Sequence, residues 1–155
     1  MVAESIRGVF AVTQVRWPAL CPGAGVLSGA RILVADDDLL LLRSVARGLT
    51  QLGAVVTRAA NGAELLYRLA HDGPFDLVLV DIAMPWMSGV QAIHAIKTAA
   101  AETSVIVMTG LEEECLPEGV ASLGDHTALL RKPFDLTQLE SVASMLLERA
   151  RSPQR

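Results

Sequence analysis

A chain of 155 residues and 16.5 kDa has the size of one compact domain and leaves no room for two of ordinary length. With 52% hydrophobic and 19% charged residues it is too apolar to stay disordered, and a net charge of −4 argues against a basic nucleic-acid-binding surface over the whole domain. Charges, Gly or Pro break every apolar run short of the ~18 residues of a membrane span, and Glu4 and Arg7 precede too short an apolar piece for a secretory signal. Cys21 and Cys115 have no ligand spacing, which excludes a disulfide framework and favours reduced thiols in the cytoplasm.

Residues 1–29 mix short apolar pieces with Pro18, Pro22, Gly23, Gly25 and Gly29 and hold no steady period, so they read as an irregular N-terminal extension. The glycines at 23, 25 and 29 precede a strand instead of joining strand to helix, so they are not a dinucleotide loop.

From Arg31 a regular alternation begins. The run Ile32–Ala35 reads as a strand leading into Asp36, Asp37 and Asp38, followed by a helix over 39–52 that Gly53 closes. Ala54–Arg58 is the next strand, and Asn61 with Glu64 opens a helix over 62–71. Leu77–Val80 ends in Asp81 and precedes a helix over 89–100. Val105–Met108 ends in Thr109 and Gly110, before a helix over 112–123 that Gly124 terminates. Ala128–Leu130 runs into Arg131, Lys132, Pro133 and Phe134, and Asp135 with Gln138 opens a last helix over 136–150 with an apolar stripe through Leu139, Val142, Ala143 and Leu146. Near-continuous apolar strands alternating with amphipathic helices are the signature of βα units around a parallel sheet buried on both faces.

In such a sheet ligands bind beyond the carboxyl ends of the strands. If all five strands are parallel, Asp36, Asp37, Asp81, Thr109 and Lys132 converge on one edge. Carboxylates crowded to about 4 Å repel strongly and call for a cation among them. Oxygen donors without Cys or His favour Mg²⁺ over zinc. An ammonium and a hydroxyl facing such a metal site suit phosphoryl transfer, with one of the carboxylates as nucleophile.

These segments, Ile32 to Asp38, Asp81 to Gly89, Met108 to Gly110 and Lys132 to Phe134, resemble the receiver domain of bacterial two-component response regulators over about residues 30–150. The resemblance implies a receiver domain over 30–151 with a flavodoxin-like (βα)5 fold and a five-stranded parallel sheet of order 2-1-3-4-5. It implies that Asp81 is the phosphoacceptor, that Asp36, Asp37, Asp81 and the backbone carbonyl of Ala83 hold Mg²⁺, and that Thr109 and Lys132 contact the phosphoryl group. Pro133 would follow Lys132 through a cis peptide bond. The donor would be a phosphohistidine of a sensor histidine kinase or a histidine phosphotransfer protein, and the output a changed protein–protein interaction with a downstream target, without nucleic acid or membrane as partner. Homodimerisation stays open, as does a fragment of a hybrid histidine kinase.

Two departures from the family stand out. Leu129 occupies the position, three before the lysine, where an aromatic residue usually works with Thr109 as the switch. Ala83 and Leu111 occupy positions that tune dephosphorylation, and neither side chain can hydrogen-bond a water, so slow loss of the phosphoryl group is expected. Leu41, Val45, Leu49 and Leu52 form the expected core stripe of the first helix, leaving Leu39, Leu40 and Leu42 to point at least partly outward and dock the phosphodonor. Trp86 lies in the loop after Asp81, and His71, His94 and His126 share no ligand spacing. An aspartyl phosphatase is the competing enzyme class, but Ala83 stands where its second acid would be needed. A degenerate receiver, acting as an interaction module without phosphorylation, is the competing non-enzymatic reading.

Overall fold

The computed structural model describes residues 10–11, 25–85, 87–111, 120, 124 and 126–152. Its elements are β1 (Phe10–Ala11), β2 (Arg31–Ala35), α1 (Leu39–Gln51), β3 (Val55–Ala59), α2 (Gly62–His71), β4 (Leu77–Asp81), α3 (Gly89–Ala99), β5 (Ser104–Thr109), β6 (Thr127–Arg131) and α4 (Leu136–Arg151). Apart from Val120, the expected helix over 112–123 lies outside the described residues, as do Trp86 and both cysteines.

All strand pairs are parallel, and the sheet order is β1-β6-β5-β4-β2-β3. Apart from β1 this is the 2-1-3-4-5 arrangement expected from the sequence. The sixth strand is a departure: within the stretch read as irregular, Phe10 and Ala11 pair with Ala128 and Leu129 along the outer edge of β6. A two-residue strand has no period to detect.

Alternate residues of each strand feed two cores, as the pleat requires. Ile32 and Val34 of β2 pack with α1 and α4, while Leu33 and Ala35 pack with α2 and α3. Strands β4 and β5 are buried throughout, whereas β3, at the sheet's edge, is half open, with Val55 57% exposed. Leu27 is buried with the first core although it lies within residues 1–29.

Capping sets the phase of the helices. Asp38 accepts from the backbone N–H groups of Leu40 and Leu41 and so fixes where α1 starts. From there the buried stripe runs Leu42, Val45, Ala46 and Leu49. The expectation that Leu42 faces solvent is therefore corrected: it is 4% exposed, and Leu41 is the half-buried neighbour. Ser88 and Gln91 form a reciprocal capping box at α3, as Asp135 and Gln138 do at α4. At α2 the Asn61 cap is present, but the Glu64 carboxylate takes the Ala60 N–H and not that of Asn61. Gly53 follows α1 at φ +92°, a left-handed turn open to glycine, and its carbonyl takes the Gly29 N–H at 2.9 Å. No helix among the described residues is long and apolar enough to cross a membrane.

Candidate functional site

Register brings the acids together. Strands β2 and β4 are parallel neighbours with Ala35 opposite Val80, so Asp36 and Asp81 follow side by side at their carboxyl ends. The ligand oxygens of Asp36, Asp37 and Asp81 all lie within 4.8 Å of one another. Asp36 and Asp81 are buried and Asp37 is exposed, which leaves the cluster open on one side.

A single ammonium joins the two buried carboxylates. Lys132 Nζ donates to Asp36 Oδ2 at 2.8 Å and to Asp81 Oδ2 at 3.1 Å. The remaining oxygens take backbone donors: Asp36 Oδ1 the Asp38 N–H at 2.8 Å, and Asp81 Oδ1 the Ala83 N–H at 3.0 Å. A buried carboxylate without such partners would be costly. Burial raises the Asp36 pKa above the ordinary aspartate range, helped by the charge of Asp81 and opposed by the Lys132 hydrogen bond. For Lys132 burial works downward, but the Asp36 hydrogen bond and the negative charge of Asp81 and Asp36 outweigh it and raise its pKa.

The lysine is positioned through its backbone. Its N–H donates to the Thr109 carbonyl at 2.7 Å, and a cis peptide bond joins it to Pro133, as the resemblance implied. Thr109, buried at the end of β5, accepts the Leu111 N–H on its Oγ1 at 3.0 Å. The carboxyl ends of β2, β4 and β5 and the loop after β6 thus hold one polar group of residues.

Of the residues singled out in the sequence, Asp36, Asp37, Asp81 and Lys132 meet in this cluster, with Thr109 beside it through the backbone of Lys132. Ala83 is exposed, and its N–H serves Asp81. Leu129 is buried in the core on the α2 and α3 side of the sheet. Leu39 and Leu40 are 53% and 79% exposed at the start of α1. Asp38 has a part of its own: it caps α1 and leaves the acid cluster to its two predecessors, and the signal for this in the sequence is an Asp directly before a helical run. The donor set is hard, acidic and oxygen-only, which fits Mg²⁺.

Comparison with known proteins agrees with this geometry. The family described as response regulator receiver domain matches residues 32–144. Among curated relatives, the chain is 36% identical over 121 residues to the DNA-binding transcriptional regulator NtrC of Azospirillum brasilense, covering 78% of this chain and 25% of that protein. It is 36% identical over 112 residues to the transcriptional regulatory protein CrdR of Helicobacter pylori, covering 72% of this chain and 52% of that protein. The chain thus spans only a quarter to a half of the relatives it matches. Among solved structures, it superposes on the chemotaxis response regulator CheY4 of Vibrio cholerae with a TM-score of 0.69 at 26% identity, covering 77% of this chain and 99% of that one. A CheY-like receiver domain protein of Methanospirillum hungatei gives a TM-score of 0.71 at 29% identity, covering 79% and 97%. Since the family match takes in well over half of the sequence and falls on the strands and acids that build the site, the chain belongs to the response regulator receiver domain family.

Proposed function

We propose that this receiver domain accepts a phosphoryl group on Asp81 from a phosphohistidine of a sensor kinase or phosphotransfer protein, and signals through altered protein–protein contacts. The observation that carries the reading is the Lys132 ammonium shared between the buried carboxylates of Asp36 and Asp81, with Asp37 open beside them. Asp36, Asp37, Asp81 and the Ala83 carbonyl would hold Mg²⁺, which supplies positive charge against phosphoryl oxygens when bound.

In the transfer an Asp81 carboxylate oxygen forms the new P–O bond as the P–N bond to the donor imidazole breaks, and that nitrogen keeps the bonding pair. A carboxylate attacks through an oxygen lone pair without giving up a proton in the step, so no general base is called for. Lys132 is held where its ammonium can leave the Asp81 carboxylate for an oxygen of the incoming group. Thr109 offers a hydroxyl proton, since its oxygen accepts from Leu111 and its own hydrogen is not committed to that bond.

The donor's docking surface is proposed at the start of α1 and in the groove between α1 and α4. Leu39 and Leu40 are exposed there, and a cleft of about 240 Å³ lies between Leu41, Gly48, Phe134 and Leu136. Leu42, being buried, is not part of it.

The deciding experiment is incubation of the full chain with Mg²⁺ and acetyl phosphate, followed by intact mass. A phosphoryl adduct in the wild type that is absent from Asp81→Asn is the expected result. An unmodified wild type would favour a phosphorylation-independent interaction module instead. Replacing Leu39 and Leu40 by Ser is expected to slow transfer from a phosphorylated histidine phosphotransfer protein while leaving the acetyl phosphate reaction unchanged.

A further inference from the structure

We propose that the outer edge of β3 is a docking site for an extended, acidic segment of a partner protein, which adds to the sheet as a further strand. Strands β2 and β3 separate this edge from Asp81 on β4, and strand addition there goes beyond the phosphotransfer reading.

The backbone of β3 is half used. Val55 N–H donates to the Ala30 carbonyl at 2.8 Å and the Ala59 carbonyl accepts from Asp36 N–H at 3.2 Å, so these residues face β2. The period of the strand then turns the peptide groups of Val56 and Arg58 outward. No strand among the described residues lies beyond β3, which ends the sheet on that side, whereas β1 lines the opposite edge.

The open edge sits in a groove of about 480 Å³ between α1 and α2. Leu42 and Val56 give it apolar lining, Arg43 flanks it from α1, Arg58 from β3 itself and Arg68 from α2. Its two acids are already engaged: Glu64 takes the Ala60 N–H at 2.7 Å, and Asp72 pairs with Arg68 at 2.9 Å. Arg43 and Arg58 are exposed and make no ion pair among the described residues. On a chain of net charge −4 this leaves a local cationic strip beside unpaired main-chain groups.

That combination selects the occupant. Main-chain groups of an incoming strand pair with Val56 and Arg58, and carboxylates on its alternate residues meet the two guanidinium groups. A second copy of β3 is disfavoured, since edge-to-edge pairing would set Arg58 of both chains on one seam.

The test uses the ¹⁵N-labelled full chain and a synthetic peptide, acetyl-Val-Glu-Val-Glu-Val-Glu-amide. Saturable shifts of the Val56 and Arg58 amide signals, with slowed hydrogen exchange at both, are expected. The double variant Arg43→Glu, Arg58→Glu alters only exposed side chains; with its fold verified by circular dichroism, it should bind about tenfold more weakly, as two exposed ion pairs each worth a few-fold would give. A peptide N-methylated at alternate residues should not bind. Absence of shifts at β3 with millimolar peptide overturns the proposal. So does N-methylated peptide binding equally well, which would mean charge attraction without strand addition, or tighter binding of a single-stranded oligonucleotide at the same amides.

Discussion

Lys97 and Lys132 are the two lysines of the chain, and burial acts on both. Lys132 has two carboxylates against its ammonium and keeps its proton more firmly than a free lysine. Lys97 donates to the Thr103 carbonyl at 2.9 Å, and its burial outweighs the opposing charge of Glu102 and lowers its pKa. The sign of the consequence follows from linkage. Between the lowered native value and the ordinary lysine value, the unfolded chain holds a proton that the native state has released, so stability rises with pH across that window. Urea unfolding of wild type and Lys97→Met from neutral to alkaline pH should show the difference between them moving in favour of wild type as pH increases. A difference independent of pH would mean that the Lys97 amine is not held in a desolvated place. Leu129 supplies a second expectation at this scale. It is 4% exposed among the residues of the α2 and α3 core, so it acts as packing where the family usually has an aromatic side chain. Leu129→Ala should cost roughly 2–5 kcal/mol of unfolding free energy, as a buried leucine truncation does. A loss below half a kcal/mol would contradict that assignment.

At the scale of elements, the loop between β4 and α3 has to return within a few residues of Asp81, and glycine makes this return fit. A Cβ built on Gly89 would lie 2.2 Å from Ile82 Cγ1 and 3.0 Å from Ile82 Cα, so helix and loop meet where no side chain has room. Gly89→Ala should therefore push the loop carrying Ala83 away from the acids, costing about 1–3 kcal/mol of stability as overpacking does. Phosphorylation by acetyl phosphate should slow beyond what that loss explains, which initial rates measured well below the melting temperature would show. Unchanged rates would mean that the loop tolerates the displacement. Strands β2, β4, β5 and β6 are legible because burial on both faces makes their central residues continuously apolar, and the site is legible because its polar residues stand just where those runs stop. Four leucines in succession, Leu39 to Leu42, carry no phase of their own. Asp38 sets it, and only its hydrogen bonds to Leu40 and Leu41 decide which leucine turns inward. The link from Lys132 N–H to the Thr109 carbonyl joins the loop after β6 to the end of β5 and has no signal in either segment.

For the whole molecule, the question is where the domain begins. Its composition puts the boundary at residue 29, because glycines and prolines end there, yet the first core already includes Leu27, which is 3% exposed, with Val26 packed against it. A short turn holds them: Ser28 N–H donates to the Gly25 carbonyl at 3.1 Å and Ala30 N–H to the Leu27 carbonyl at 3.1 Å, while Gly29 N–H reaches Gly53 beyond α1. The turn closes the amino end of β2 on the side where α1 returns, so it belongs to the fold and not to the extension. Strand β1 contributes differently. It adds two residues along β6, an amount of pairing that a five-stranded parallel core can lose. Two deletions separate these roles. Removal of residues 1–24 should leave a cooperatively folding protein, whereas removal of residues 1–29 should cost a further ~2–3 kcal/mol, the transfer free energy of one buried leucine with part of its turn. Urea unfolding of the two truncated chains measures the gap directly. Equal stabilities would return Leu27 to the extension, and failure of the first deletion to fold would make β1 an integral strand of the sheet.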